Sequence, residues 1–334
     1  MFAERYAMYR KLLAVFLLSA HCAFASSTPQ NASNDHPPVD AIQGIIAAFQ
    51  KHPVVVIGEW RHGLRQMGDF YIRLVKDPNF QQTVQDIVIE FASRNNQPLL
   101  DRYINGENVP AEEVRHIWRD TTKVASWEFP IYAEWLQAIR EVNRKLPPEH
   151  RFHVLAGDTA IDWSRIQTHE DWEKLGDNNA SFADVIMNQV LAKHRRAFVV
   201  LGSNHVTKLG SRQGGPNTTT MVESRYPGSM YVVMNHLIPH DPDEGLLQLS
   251  GHPEAPTLYD LAGTSLGNKP DRNGVAPIRY VDAWLYVGPA DTMVESLPPP
   301  HSLEPSYMKE VDRRSMIEWG ELRARRFLGE AAAQ

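Results

Sequence analysis

The chain has 334 residues, 43% of them hydrophobic, a formal net charge of −6 and a single cysteine. That length is enough for one large domain or two small ones. The acidic balance, with no Lys/Arg-rich stripe interleaved with aromatics, argues against a nucleic-acid partner, and one cysteine rules out an intrachain disulfide framework.

Arg5, Arg10 and Lys11 precede an apolar run from Leu12 to Phe24, and Ala23-Phe24-Ala25 has the small-x-small form of a peptidase site. Residues 1–25 therefore read as a secretory signal, with Ser26 the expected first residue of the mature chain. The run is about 13 residues, short of the roughly 20 that a spanning helix needs. Cleavage would remove Cys22 with three basic residues and one acidic one (Glu4), taking the net charge from −6 to −8. A cysteine-free exported chain suits a periplasmic or secreted location. No later apolar run is long enough to span a bilayer, so no membrane span is expected after cleavage. Residues 26–38 are rich in Ser, Asn and Pro and predict a disordered leader.

From Val39 strands and helices alternate. Asp40 to Gln50 predicts a short helix. Pro53 to Gly58 is a continuous β-branched run, as in a strand buried on both faces. Leu64 to Lys76 has helical spacing, with Phe70, Leu74 and Val75 on one side. Asp86 to Phe91 predicts a second buried strand. Three helical stretches follow, at 97–104, 111–119 and 130–145, with Trp118, Trp127 and Trp135 as core or pocket aromatics. Further strands are expected at 151–156, 197–202, 229–234 and, late in the chain, 283–288. Residues 305–328 predict a closing helix. The pattern implies an α/β fold: a mostly parallel central sheet flanked by helices, with a helical insertion after the second strand. Residues 39–334 are read as one such domain. Residues 236–304, rich in Pro, Gly and Asp, are read as a long wrapping segment.

Polar residues recur where these strands end. The first runs into Gly58-Glu59-Trp60-Arg61-His62-Gly63. The second ends in Glu90, with Ser93 and Arg94 beyond. The third ends in Gly157-Asp158, the fourth in Gly202-Ser203-Asn204-His205 and the fifth in Asn235-His236. Open α/β sheets bind ligands outside the carboxyl ends of their strands, so these residues are expected to converge. Glu59, His62, Glu90 and His205 are the candidate catalytic set, and Arg61, Arg94, Asp158, Asn204 and His236 the candidate substrate contacts. Taken singly, each has a plainer reading as a paired carboxylate, a helix cap or a hydrogen-bonded loop histidine. His150, His153, His169 and His194 sit among charged residues and are read as solvated. Ser203 lacks the G-x-S-x-G elbow of a serine hydrolase, and there is no G-x-G-x-x-G, P-loop or H-E-x-x-H.

The segments V-V-V-I-G-E-W-R-H-G (54–63), I-V-I-E-F (87–91) and V-V-L-G-S-N-H-V (199–206) together resemble the superfamily that unites erythromycin esterases, ChaN-type haem-binding lipoproteins and Tiki/TraB-type proteins. The resemblance runs from about Pro53 to Val206. It implies catalytic roles for Glu59, His62, Glu90 and His205, and water activated by a histidine for attack on an ester or lactone. Trp60-Arg61 stands where the esterases have small residues. Two alternatives remain open on the same residues. One is a metal-dependent enzyme, with His62, Glu90 and His205 as ligands. The other is a non-enzymatic haem or tetrapyrrole binder ligated by His62, His205 or His236. No metal or cofactor is singled out; the partner expected is a small molecule.

Overall fold

The computed structural model describes residues 37–328 except 213, 236–255, 272–273 and 300–301. The expected signal segment, leader residues 26–36 and His236 lie outside the described residues.

Eight strands form one sheet: β1 (Val39–Asp40), β2 (Val54–Glu59), β3 (Asp86–Ser93), β4 (His153–Asp158), β5 (Ala197–Gly202), β6 (Met230–Asn235), β7 (Thr257–Asp260) and β8 (Ala283–Tyr286). Their order is β1-β7-β8-β6-β2-β5-β3-β4. Every pairing from β8 across to β4 is parallel, while β7 runs antiparallel to β1 and β8. The fold is thus α/β with a mostly parallel sheet, as the alternation of elements requires. Among the described residues no helix is long and apolar enough to cross a membrane.

The sheet is covered on both faces because its strands are apolar on both faces. Val55 and Ile57 of β2 join a core with α1 (Ala41–Ala48), α2 (Arg65–Lys76) and α3 (Pro78–Thr83), while Val54 and Val56 join the opposite core. The helical insertion lies between β3 and β4 as α4 (Gln97–Ile104), α5 (Ala111–Val114), α6 (His116–Arg119) and α7 (Pro130–Asn143). Within it, Tyr132, Trp135, Leu136 and Ile139 of α7 are buried on the first face. After β4 come α8 (His169–Glu173) and α9 (Asn178–Val185), and after β5 comes α10 (Thr218–Arg225). Phe182 and Val222, from α9 and α10, seal the second face. Burying each such large apolar side chain stabilises the fold by about 1.5–3 kcal/mol relative to leaving it exposed.

Three expectations need correction. The stretch 111–119 forms two single turns rather than one helix. The closing helix, α12 (Pro305–Trp319) after the short α11 (Ser265–Asn268), stops at Gly320, whose φ of +70° makes a left-handed cap. Among the described residues a 3-10 turn at Ala324–Leu328 follows. The wrapping segment also contributes β7, which enters the sheet between β1 and β8. After β8 the chain does wrap: Arg65 N–H donates to Val294 O at 2.8 Å, Ser296 N–H donates to Gly63 O at 2.7 Å, and Leu64 bridges Glu295.

Two details place the site. β5 returns from the far edge and inserts between β2 and β3, so the ends of β2, β5 and β3 are adjacent. Glu59 stands opposite Gly202, and Ile89 opposite Val200. The register of β3 on β4 then shifts between Ile89 and Ser93. A bulge there re-aims the residues it contains, Glu90 among them.

Candidate functional site

Alternation along β2 puts Glu59 on the face of Val55 and Ile57, beneath α2 and α7. Its side chain is 2% exposed. Burying a carboxylate is costly unless donors surround it, and three do. Tyr71 O–H donates to Oε1 at 2.9 Å, Tyr132 O–H to Oε2 at 2.7 Å, and His62 Nδ1 lies 2.8 Å from Oε2. Burial first, and then the Glu59 charge, push both phenols well above 10, so they stay protonated donors. Tyr132 O also accepts Gly63 N–H at 3.2 Å, tying the His62 loop to α7. Gly63 has φ +75°, and a Cβ there would lie 2.3 Å from the Phe129 ring, so only glycine fits the turn that presents His62.

With Nδ1 committed to a carboxylate, His62 keeps Nε2 for chemistry. The ring packs edge-on against Trp127, with centroids 4.7 Å apart, and its side chain is 32% exposed. Partial burial works against the imidazolium. The Glu59 hydrogen bond and the charges of Glu90 and Glu59 together outweigh it, so the pKa of His62 is raised above 6.5.

Glu90 has the parity of the opposite face of the sheet and accepts Gly202 N–H. Its Oε1 lies 3.5 Å from His205 Nε2. Burial pushes its pKa up. The His205 and His62 charges, the His205 contact and the Gly202 N–H overcome this and hold it at about 2. His205 Nδ1 lies 2.8 Å from Asn179 Oδ1. The Asn179 amide orientation is fixed at both ends: Thr218 N–H meets Oδ1, and Nδ2 meets Asp177 Oδ1. Nδ1 of His205 must therefore be the donor, leaving Nε2 toward Glu90. A methyl group on Gly202 would lie 3.2 Å from His62 Nε2 and 3.4 Å from Glu90 Oε2. Glycine at this position keeps open the small space that both groups border.

His62, Glu90 and His205 thus share one cleft of about 490 Å³, also lined by Thr122, Lys123, Trp127, Trp172, Asn179, Asn204 and Arg212. Glu59 sits behind His62. Of the candidate substrate contacts, Asn204 lines this cleft. Arg61 turns outward to Glu295, Nη2 to Oε2 at 3.0 Å, and Arg94 pairs with Asp184 at 3.0 Å beside a different hollow. Asp158 is buried and meets Thr122 N–H and Oγ–H at 2.6 and 2.7 Å, so it anchors the loop that forms one wall. That loop packs on α12 through Val124 and Ala125, and Ala125 has φ +56°, a conformation strained for a residue with a Cβ. The indole N–H of Trp127, 3% exposed, meets no acceptor among the described residues, an unmet donor of the kind that functional sites tolerate. Tyr71, Tyr132, Asn179 and Arg212 were not among the sequence candidates. Tyr71 shares the buried stripe of Phe70 and Leu74, a signal that reads simply as core.

Burial pushes the Asp158 carboxyl up to about 7 against the Thr122 donors. The folded state then holds a proton that the unfolded chain has released, so stability falls as pH rises from 3.8 through about 7. Asp158→Asn keeps the neutral hydrogen bonds and removes the titration. Its melting temperature is expected to fall less than that of the wild type between about pH 5 and about pH 8. Parallel curves from thermal unfolding would show that Asp158 does not titrate in this range.

Among the described residues no three His, Cys, Asp or Glu side chains are grouped to hold a metal ion. Haem needs an extended apolar wall. Here Trp127, Trp172 and Leu175 are set among hydroxyl, amide and charged side chains, and the cleft does not fit a porphyrin.

No protein-family model matches the chain, and no curated protein matches it significantly. Solved structures do. A succinoglycan biosynthesis protein aligns with TM-score 0.57 at 11% identity, over 77% of this chain and 95% of that one. A Bacillus cereus protein aligns with TM-score 0.50 at 11% identity, over 73% and 90%. ChaN of Campylobacter jejuni, solved with cofacial haem, aligns more distantly, with TM-score 0.36 at 14% identity over 60% and 87%. For the first two, at 11% identity, the likeness is one of fold.

Proposed function

We propose that the protein is an exported hydrolase of esters or lactones in which His62 activates water. The observation that carries this reading is the Glu59–His62 pair. A buried, triply hydrogen-bonded carboxylate fixes the Nδ1–H tautomer, and the other ring nitrogen borders the space beside Gly202. Nε2 takes a proton from water as the water oxygen bonds to the carbonyl carbon. The imidazolium so formed is met by Glu59 and Glu90, the role an acidic partner plays in a triad. His205, with Nδ1–H on Asn179 and a second hydrogen on the Nε2 that faces the Glu90 carboxylate, meets the developing oxyanion, and His62 returns the proton it took from water to the departing alkoxide as the C–O bond breaks, giving acid and alcohol. The resemblance of the three strand-end segments to the erythromycin esterase superfamily supports the same roles.

A panel of esters and lactones, assayed with and without chelator, tests the reading. Turnover is expected to survive chelation. Because the base must be neutral and its pKa is raised, kcat/KM is expected to rise with pH along a limb centred above 6.5. No turnover on any member would remove the hydrolase reading, and loss of turnover with chelator would convert it to a metal-dependent one.

A further inference from the structure

The arginines around the site are mostly neutralised. Besides Arg61 and Arg94, Arg65 pairs with Glu134 and Arg119 with Glu128. The two cations on the cleft wall differ. The nearest carboxylate to Lys123 Nζ is Glu318, at 4.0 Å. Arg212 pairs with no carboxylate among the described residues, and its guanidinium lies over the Trp60 ring, 4.5 Å from the centroid. Stacking holds the guanidinium plane while leaving its edge of N–H donors for a planar anion.

The acids of the same cleft are already occupied. Glu90 accepts Gly202 N–H and faces His205. Asp177 caps α9, accepting from Asn179 N–H and Nδ2. Glu173 lies 3.4 Å from His169 Nε2. Lys123 and Arg212 are the two cations of a cleft lining that also carries the carboxylates of Glu90, Glu173 and Asp177, and of the two only Arg212 has no carboxylate partner among the described residues.

We propose that the substrate is an ester or lactone carrying a separate carboxylate, which Arg212 and Lys123 hold while His62 works on the acyl carbon; this rests on the hydrolase reading above. Arg212 contributes the paired N–H edge that a carboxylate matches, and Lys123 a second positive charge on the same cleft lining. Other polar side chains of the same lining, Ser126 and Asn204 among them, suit a polar linking chain better than an apolar macrocycle.

The test compares p-nitrophenyl hydrogen glutarate with its methyl ester, which lacks the remote charge, each enzymatic rate being taken after subtraction of the enzyme-free rate, since the free carboxylate also expels p-nitrophenolate on its own by closing the anhydride. Wild type is expected to prefer the anion, and added salt to erode that preference. In Arg212→Ala with Lys123→Ala the ratio of kcat/KM values, anion over neutral, is expected to fall by about 10- to 100-fold, mostly through KM, the loss of one or two charge-assisted hydrogen bonds. Arg212→Lys is expected to retain part of the preference, because it keeps the charge and loses the fork. Glutarate titrated calorimetrically into wild type and Arg212→Glu reads the anion site without turnover. Preference for the methyl ester, or equal losses on both esters, would overturn the proposal while the hydrolase reading stands. Glutarate binding that Arg212→Glu abolishes, with no turnover of either ester, would leave the anion site standing and sink the hydrolase. Absence of both binding and turnover would sink both.

Discussion

His62→Ala is expected to lower kcat by about 10²- to 10⁴-fold, the usual contribution of a general base, and to move the thermal midpoint little. The ring is 32% exposed and lies in a loop just past β2. Its removal forfeits an edge-on contact with Trp127, but Glu59 keeps the Tyr71 and Tyr132 hydroxyls, so no buried carboxylate is stranded. A structural histidine would behave in the opposite way, with stability falling and activity following the folded fraction. The measurement is kcat and melting temperature on the same preparation. Full activity in a folded His62→Ala protein would rule out the base.

Glu90→Gln is expected to lower kcat by about 10²-fold and to displace the pH profile. The amide oxygen can still accept Gly202 N–H, so the strand end keeps its hydrogen bond. What is lost is a negative charge beside both histidines. That charge helps raise the pKa of His62; without it the imidazole releases its proton more readily, and the rising limb of kcat/KM moves to lower pH. A reduced rate with an unmoved limb would show that Glu90 serves His205 alone.

Much of this site was legible in the sequence because strand ends in a parallel sheet lie on one edge. The runs before Glu59, Glu90 and His205 identified their own strands, and β5 inserts so that all three are neighbours. What the sequence left open was direction. Arg61 and Arg94 follow the right strands, yet Glu295 and Asp184, distant in the chain, draw them away from the cleft. Tyr71 and Tyr132 escaped notice because a buried tyrosine on an amphipathic helix has the same spacing whether its hydroxyl is idle or holds a carboxylate. Asn179 and Arg212 lie in polar connections where periodicity carries no signal, and β7 is four residues of antiparallel edge inside a Pro/Gly-rich stretch.

The crossing of residues 294–296 over the His62 turn also sets an order of assembly. Among the described residues every side chain that lines the cleft has been synthesised by Arg212, but Gly63 O and Arg65 N–H find their partners in Ser296 and Val294, and Arg61 finds Glu295 across 234 positions. A chain that has completed β6 therefore already carries His62 on a turn whose outer contacts are still to come. Contacts of such long sequence separation form late and slowly. Glu59 and Tyr132 hold the His62 turn from within, and the last quarter of the chain adds the outer ties that complete it.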